Sequence, residues 1–384
     1  MNICIIANGY PDKRDPQCGC FEKDQAIALT ELGHKVSILY VDRRFRMYWR
    51  KIGITKLNGP NIIVYGIFLP PICWISKKIT YRLHYKITTV MLDWLFRCYI
   101  KENEKPDVIY AHYIWNIAFS SVLKNRYNIP LIGIEHWSGL TQDRITPLAD
   151  YWGKIAYSNA DKLLAVSTSL QTHIRRHFGR ESTVVYDMLG PEFDTYKKTN
   201  AEKNKAFSFI AVGNLLPIKG YRMLIQSFAI SKLANEGCTL SIIGEGGERK
   251  PLEDEIRKWK LADSVILLGR KTKKEIVDYL SVSNVFVLSS EAETFGVACI
   301  EAMSQGLPAI VTRCGGPEEF IDESNGLLVE PHNPYAMATA LRTMYMTYSN
   351  YDTFAIAKNC RSRFAPDVIA KKLTDQMGGV VSCL

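Results

Sequence analysis

Long apolar runs, which a membrane-spanning helix requires, are missing from this sequence of 384 residues. A spanning helix needs about 20 consecutive apolar residues. The nearest candidate, residues 66–75, is short and is interrupted by Pro70 and Pro71. Met1–Ala7 has neither a basic leader nor a cleavage site, so we expect a strand there rather than a signal peptide. The sequence therefore predicts a cytoplasmic protein whose ten cysteines are reduced thiols.

Two common phosphate-binding motifs are also absent. A nicotinamide enzyme would carry G-x-G-x-x-G at its first strand–helix turn, but this chain has Gly9 and then a long loop to Gly19. A P-loop is missing because no glycine stands at the required spacing before Gly-Lys-Ser/Thr. Cys18 and Cys20 have the wrong spacing for zinc and lack a second ligand pair. We therefore expect no bound metal and no cofactor.

Acidic residues are scarce over 43–105, where 13 basic residues face 3 acidic ones. The net charge of +9 lies entirely in residues 1–190, because residues 191–384 contain 23 of each sign. Basic residues alternate with aromatics over Arg43–Lys51, and apolar residues recur downstream at near-helical spacing: Leu83, Ile87, Val90, Met91, Trp94, Leu95 and Cys98. This combination predicts contact with an anionic membrane surface. The alternative is a basic surface over an ordinary core helix. We expect no nucleic acid partner, since no nucleic-acid-binding motif is present.

Apolar strand patterns alternate with helical patterns in both halves of the chain. This alternation predicts an α/β fold of two tandem Rossmann-like, doubly wound lobes with the active site in the cleft between them. The boundaries expected are 1–193 for the first lobe with its insert at 43–105, 194–206 for a polar linker, 207–365 for the second lobe, and 366–384 for a helix that packs back on the first lobe.

The most informative segment follows the predicted strand Val285–Leu288. Glu293 lies on the loop after this strand, and Glu301 lies in the helix that begins after Phe295 and Gly296. A helix N-terminus at the end of a parallel strand is a natural site for a diphosphate. One carboxylate can then face the reacting group while the other holds a nucleotide hydroxyl. The alternative is that both are ordinary surface acids.

Further loops in the second half follow predicted strands in the same way. Lys219 precedes a helix and can neutralise a phosphate, Gly244 lies in a glycine-rich turn, and Arg270 follows a third strand. Each is weak evidence alone, because such residues are common at strand ends. Together they predict loops that converge on one crevice.

In the first half, two histidines follow predicted strands. His112 and His136 each lie close to a tryptophan, and a lone histidine is more often structural than functional. His136 is the stronger candidate for a sugar or acceptor site, because Gly139 is expected to leave room for a ligand. Gly19 opens a helix after a long loop, so its amide can face a phosphate.

These residues resemble family 4 of the retaining nucleotide-sugar glycosyltransferases, which have the GT-B fold. The resemblance is carried by Val212–Gly220, by Ile242–Gly246, by the E-x7-E element from Glu293 to Glu301, and by Gly315–Glu319 with Asn325–Val329. It extends more loosely through the first half, over Tyr10–Phe21, Gly33–Val36 and Asp161–Ser167.

The resemblance implies a role for each matching residue. Lys219 neutralises the donor diphosphate, Glu301 binds the ribose hydroxyls, and Glu293 holds the donor sugar together with the backbone amides around Phe295 and Gly296. His136 faces the sugar from the first lobe, and Gly19 lets its loop approach phosphate or acceptor. The implied reaction is metal-independent transfer of a sugar from a nucleoside diphosphate to a lipid-linked or glycan acceptor, in surface polysaccharide biosynthesis at the inner face of the membrane.

The chain departs from the family pattern at Asn214, where the family usually has an arginine as a second diphosphate cation. Arg270 and Arg313 are possible substitutes. Two other functions stay open: a nucleotide-sugar epimerase of the same architecture, and a non-catalytic sugar-nucleotide-binding partner. The departure at Asn214 slightly favours the second, whereas Glu293, Glu301 and Lys219 argue against it.

Overall fold

A computed structural model describes residues 1–15, 17–42, 53–59, 62–68, 77–196 and 206–382. The chain forms two compact units, one from residues 1–186 with 366–384 and the other from residues 187–365. Each unit is a parallel-dominated sheet flanked by helices, which confirms the predicted Rossmann-like architecture. Within the described residues, no helix is long and apolar enough to cross a membrane.

The first unit contains an eight-stranded sheet in the order β3-β4-β2-β1-β5-β6-β7-β8. All its neighbouring strands are parallel except the antiparallel pair β3 and β4. Every residue of β5 and β6 is buried, as expected for central strands covered on both faces. The strands are β1 Asn2–Ile6, β2 Lys35–Asp42, β3 Gly53–Asn58, β4 Ile62–Phe68, β5 Val108–His112, β6 Leu131–Glu135, β7 Lys162–Ala165 and β8 Thr183–Val184.

Among the described residues, six α-helices belong to the first unit. They are α1 Cys20–Glu31, α2 Lys77–Ile100, α3 Tyr113–Tyr127, α4 Pro147–Asn159, α5 Thr168–Phe178 and, from the end of the chain, α12 Pro366–Val381. Helix α12 packs against α1, and a 2.9 Å hydrogen bond joins His34 Nε2 to Thr374 Oγ1. The last helix therefore completes the first unit although it follows the second unit in sequence.

The stretch 43–105 contains two strands that its composition did not predict. Strands β3 and β4 extend the sheet beyond β2, so much of the expected insert belongs to the fold itself. Strand β3 lies at the edge of this sheet. Its Ile54 and Leu57 are exposed, with Lys56 between them, and charged residues are common on edge strands. The basic and aromatic run Arg43–Lys51 lies outside the described residues.

Helix α2 buries a different face from the one its apolar spacing suggests. Leu92, Leu95, Phe96 and Tyr99 form its buried side. Of the predicted apolar stripe, Leu83, Val90 and Trp94 are exposed to 36%, 59% and 45%. Of the other members of the expected stripe, Ile87, Met91 and Cys98 are half-buried and Leu95 is in the core.

The second unit contains a six-stranded parallel sheet in the order β11-β10-β9-β12-β13-β14. Its strands are β9 Ser208–Val212, β10 Thr239–Ile243, β11 Val265–Gly269, β12 Val285–Leu288, β13 Ala309–Thr312 and β14 Gly326–Val329. Its helices are α6 Tyr221–Ser231, α7 Arg249–Lys258, α8 Lys273–Val282, α9 Val297–Ser304, α10 Pro334–Thr347 and α11 Thr353–Phe364.

The second unit begins at Asp187, seven residues before the expected linker. Phe193 is fully buried, and its carbonyl accepts a hydrogen bond from Gln305 Nε2. The Leu189 amide donates to the Phe364 carbonyl at 2.9 Å. This short segment therefore packs into the second unit, and the predicted boundary after residue 193 lies too late.

Candidate active site

Three loops at the carboxyl ends of β9, β10 and β11 are joined by backbone hydrogen bonds. The Gly213 amide donates to Ile243 at 3.0 Å, Leu215 donates to Glu245 at 2.9 Å, and Gly244 donates to Gly269 at 3.0 Å. Gly244 has a φ of 151°, and a Cβ there would lie 1.9 Å from the Gly213 carbonyl oxygen. Only glycine allows this approach, so the turn around Gly244 fixes the loop that leads to Lys219.

Lys219 ends a 3₁₀ turn, Pro217–Lys219, just before α6. The turn is tied to the loop after β12, because Ser289 Oγ donates to the Lys219 carbonyl at 2.8 Å and the Glu291 amide donates to Ile218 at 2.8 Å. The lysine is therefore presented beside the loop that carries Glu293.

The ammonium of Lys219 and the carboxylate of Glu293 form an ion pair, with Nζ 2.5 Å from Oε1. Ser290 Oγ donates to the same oxygen at 2.8 Å. Both side chains are largely buried, at 24% exposure for Lys219 and 13% for Glu293. The cation predicted to hold a diphosphate and the acid predicted to hold a sugar are thus direct neighbours.

The loop after β13 fixes the backbone of Glu293. The Glu293 amide donates to the Cys314 carbonyl at 2.7 Å, and the Gly316 amide donates to the Glu293 carbonyl at 3.1 Å. Burial, and secondly the charge of Glu293, raise the pKa of the Cys314 thiol to about 12. Cys314 therefore stays protonated near neutral pH and is unsuited to nucleophilic chemistry.

Helix α9 begins after Gly296, which has a φ of 86°. Phe295 is 1% exposed and packs against Phe320 and Phe364, so its side chain anchors the loop and only its backbone is available to a ligand. Glu301 is half-buried within α9. Helix α9 thus starts at Val297, four residues after Glu293.

The possible replacements for a second phosphate cation differ in their surroundings. Asn214 is exposed on the same loop as Lys219. Arg313 is paired with Glu318 and Glu330, at 3.4 and 3.1 Å. Arg270 is exposed directly after β11. The described contacts therefore engage Arg313 elsewhere and leave Arg270 the better candidate.

In the first unit, Gly19 precedes α1 with a φ of 69°. A Cβ on this residue would lie 2.2 Å from the Gly9 carbonyl oxygen. Gly19 therefore permits close contact between the loop after β1 and the start of α1. Whether its amide binds a phosphate stays a prediction.

His136 follows β6 and is half-buried beside His112, the last residue of β5. His112 Nδ1 lies 3.2 Å from His136 Nε2. The buried carboxylate of Glu135 accepts hydrogen bonds from the backbone amides of His136 and Trp137, at 3.0 and 2.9 Å, and from the Tyr157 hydroxyl at 2.8 Å. Burial raises the pKa of Glu135, while these hydrogen bonds act in the opposite direction.

The space expected beside Gly139 is occupied. A Cβ at Gly139 would lie 2.4 Å from the Trp137 ring, so the glycine accommodates that indole rather than a ligand. The prediction of ligand room there was wrong, since the sequence alone did not show that the chain turns Trp137 onto Gly139.

Three neighbours of the site residues were missed by sequence reasoning. Asn8 Oδ1 accepts hydrogen bonds from Trp115 Nε1 and Asn116 Nδ2. Tyr113 has a φ of 68°. Ser290 Oγ donates a hydrogen bond to Glu293 Oε1. A bulky residue at positive φ is unusual and recurs at functional sites. Nothing in the sequence indicates this conformation, whereas Ser290 could have been found from its place between β12 and Glu293.

Two α/β units in tandem, with a lysine, an acid and glycine turns at strand ends, agree with the resemblance to GT-B glycosyltransferases that the motifs carry. Comparison with known families agrees. A model described as Glycosyltransferase Family 4 matches residues 23–188, and one described as Glycosyl transferases group 1 matches residues 192–355. The chain belongs to the family 4-type GT-B glycosyltransferases.

Known relatives resemble parts of the chain. An uncharacterized glycosyltransferase of Methanocaldococcus jannaschii is 30% identical over 61% of this chain and 64% of its own length. One subunit of the human phosphatidylinositol N-acetylglucosaminyltransferase is 26% identical over 86% of this chain and 66% of its own length. The chain thus spans less than two thirds of either relative.

Solved structures share the whole fold. Sucrose-phosphate synthase from Thermosynechococcus elongatus has a TM-score of 0.80 at 19% identity, covering 100% of both chains. HepE of Anabaena in complex with UDP-glucose has a TM-score of 0.73 at 18% identity, also covering 100% of both. At these identities the similarity shows the GT-B fold.

Proposed function

We propose that this protein transfers a hexosyl group from a nucleoside diphosphate sugar to a lipid-linked or glycan acceptor in surface polysaccharide biosynthesis, with retention of anomeric configuration. The observation that carries the proposal is the ion pair of Lys219 with Glu293 beside the start of α9. Departure of a nucleoside diphosphate requires positive charge at the leaving group, which a lysine and a helix N-terminus supply. The proposed reaction needs no metal, because Lys219 supplies that charge.

The surroundings of Glu293 favour a role in binding over one as a general base. Its Oε1 accepts hydrogen bonds from both Lys219 and Ser290. An oxygen engaged in two such bonds is poorly placed to remove a proton from an acceptor hydroxyl. We therefore assign Glu293 to the sugar, Glu301 to the ribose and Lys219 to the diphosphate, with Gly244 shaping the loop and Arg270 as the second cation.

The nucleotide-sugar donor is supported by the relatives. The HepE structure contains UDP-glucose, and the name of the human relative specifies an N-acetylglucosaminyl group and a phosphatidylinositol. The phosphatidylinositol in the name of the human relative also favours a lipid-linked acceptor for this protein. The glycosyltransferase proposal outweighs an epimerase or a non-catalytic partner, because both matching family models are described as glycosyltransferases.

An anionic membrane surface is proposed as the partner of α2. Leu83, Val90 and Trp94 share one exposed face, since they recur at seven- and four-residue spacing. Exposed basic residues flank these three apolar side chains. Arg82, Lys86 and Arg97 lie in the helix, and Lys101 directly follows it. The one acid of α2, Asp93, is buried and paired with Arg97 and Arg126. An apolar face bordered by cations suits the headgroup region of anionic lipid, and we propose a peripheral location at the inner face of the membrane.

A panel of nucleotide sugars tests the central proposal. UDP-glucose, UDP-N-acetylglucosamine, UDP-galactose and GDP-mannose are added singly, and the thermal midpoint is measured, since a ligand that binds the native state raises it. The best donor is then tested for transfer to lipid-linked glycans, and NMR of the product gives its anomeric configuration. Conversion of the donor to another sugar nucleotide without an acceptor would support the epimerase instead. Binding without turnover would support the non-catalytic partner.

A further inference from the structure

The ring nitrogens of His112 and His136 meet between the carboxyl ends of β5 and β6. Nδ1 of His112 lies 3.2 Å from Nε2 of His136, and the two rings are within 2° of parallel with centroids 5.2 Å apart. At this separation the parallel rings meet largely edge to edge, so the contact is a nitrogen–nitrogen hydrogen bond rather than a face-to-face stack. One of the two nitrogens must carry the shared proton.

His112 is held in the neutral state by its surroundings. The side chain is fully buried, and the Tyr110 ring packs against it with centroids 4.6 Å apart. Burial lowers the pKa of His112 well below its ordinary value, and the charge that His136 would carry lowers it further. Neutral His112 has a single ring proton, on either Nδ1 or Nε2.

The other nitrogen of His112 decides between these two tautomers. Its Nε2 is buried and has no hydrogen-bond partner among the described residues. A proton on Nε2 would leave a buried N–H donor unpaired, which is the rarer and less favourable arrangement in proteins. The proton therefore lies on Nδ1, where it is donated to His136 Nε2. Neutral His136 must then carry its own proton on Nδ1.

The rest of His136 is held by its neighbours. Glu135 accepts the His136 backbone amide, and the Tyr157 hydroxyl fixes the other oxygen of that carboxylate. The ring of Tyr113 lies 5.1 Å from the His136 ring. Of the described residues, Glu135 is a charged group beside His136, and Tyr157, Tyr113 and Tyr110 are the neighbouring titratable groups of the pair. The backbone and the ring of His136 are thus fixed by different residues.

We propose that His112 is a positioning residue that fixes the tautomer of His136, so that His136 donates a hydrogen bond through Nδ1 instead of removing a proton with Nε2. A proton added to His136 Nε2 would either bring two N–H groups against each other or force the His112 proton onto its unpaired, buried Nε2, and both arrangements oppose protonation of His136. The catalytic consequence rests on the proposed function, together with the sugar-facing role that the family resemblance implies for His136.

Nitrogen-15 NMR of histidine-labelled protein tests the tautomer directly. The signals of His136 are assigned by their loss in His136→Gln. In the wild-type protein we expect a protonated Nδ1 and an unprotonated Nε2 that does not titrate near neutral pH. In His112→Phe, which keeps a buried ring but removes the hydrogen bond, we expect His136 to change tautomer and to titrate. His173→Phe is the matched control, because His173 Nδ1 also lacks a hydrogen-bond partner in the described structure.

Transfer kinetics with the best donor give the second readout. His112→Phe is expected to lower kcat about tenfold, the loss of one hydrogen bond of ordinary strength. His112→Asn is expected to restore most of this rate, since its amide can donate from nearly the same position as Nδ1. His173→Phe should leave kcat unchanged.

The outcomes of these experiments separate the positioning role of His112 from the proposed glycosyltransferase function. A wild-type His136 protonated on Nε2 would overturn the positioning role, and this measurement does not depend on whether His112→Phe folds. An unchanged His136 tautomer in His112→Phe would overturn it equally. If the tautomer is as expected but no nucleotide sugar supports transfer, the positioning role stands and the proposed function fails.

Discussion

Lys219 Nζ lies 2.5 Å from Glu293 Oε1 in the second unit, so two residues 74 positions apart form one ion pair. We expect a bound diphosphate to compete with Glu293 for the lysine. Lys219→Ala and Glu293→Gln should each lower kcat/KM by about 100-fold, as when one preorganised charge is removed from an active site. Because the two residues act together, the double variant should lose less than the product of the single losses.

The control for these single and double variants is Lys250→Ala, which removes an exposed lysine of α7 in the same unit. It should retain wild-type transfer. Strictly multiplicative losses in the double variant would contradict a shared role for Lys219 and Glu293. Wild-type rates in both single variants would refute the site assignment itself.

A second cation at position 214 is expected to strengthen donor binding. Asn214 is exposed on the loop that leads to Lys219, so an arginine there has room to extend. A charge-assisted hydrogen bond to the diphosphate should lower the donor KM by about tenfold. Asn214→Gln, which lengthens the side chain without adding charge, is the matched control. An unchanged KM in Asn214→Arg would show that the diphosphate lies elsewhere or that another cation, such as Arg270, already fills this role.

The parts of the structure that the sequence could predict are those determined by local pattern. Strand runs such as Val285–Leu288 alternate with helices, and this alternation is enough to predict two parallel sheets. The order of the motifs likewise placed Lys219 and Glu293 on loops at strand ends. Their direct contact was not predicted, because it depends on how the loops after β9 and β12 pack together.

Other predictions from the sequence failed for equally physical reasons. The apolar spacing in α2 shows that one face is apolar but not whether that face points inward, and Trp94 points outward while Phe96 is buried. Strand β3 has the polar composition of a sheet edge, so it resembled a surface insert. The conformation of Tyr113 and the contact of Trp137 with Gly139 arise from tertiary packing, which overrides local preference.

The exposed face of α2 predicts salt-dependent binding to anionic vesicles. Trp94→Gln should lower co-sedimentation with phosphatidylglycerol-containing vesicles several-fold, because a half-exposed indole contributes apolar area at the lipid interface. Tyr335→Gln, which removes an exposed ring from the second unit, should bind as the wild type does. Equal binding to neutral vesicles would contradict the electrostatic part of the proposal, and failure to bind anionic vesicles at any salt concentration would refute it. Preferential binding to nucleic acid would assign the basic surface to another partner.

Two glycines of one loop should respond differently to the same substitution. Gly244→Ala places a Cβ 1.9 Å from the Gly213 carbonyl oxygen at a φ of 151°, so the backbone of both loops must shift. We expect a loss of about 2 kcal/mol in the free energy of unfolding, and a thermal midpoint lower by about 4–8 °C. Gly247→Ala is the control, because a Cβ there meets no atom within 4 Å. Since the Gly244 turn fixes the loop that leads to Lys219, Gly244→Ala should also weaken donor binding, whereas Gly247→Ala should not. Equal thermal midpoints for the two variants would mean that the contact between the β9 and β10 loops does not constrain the site.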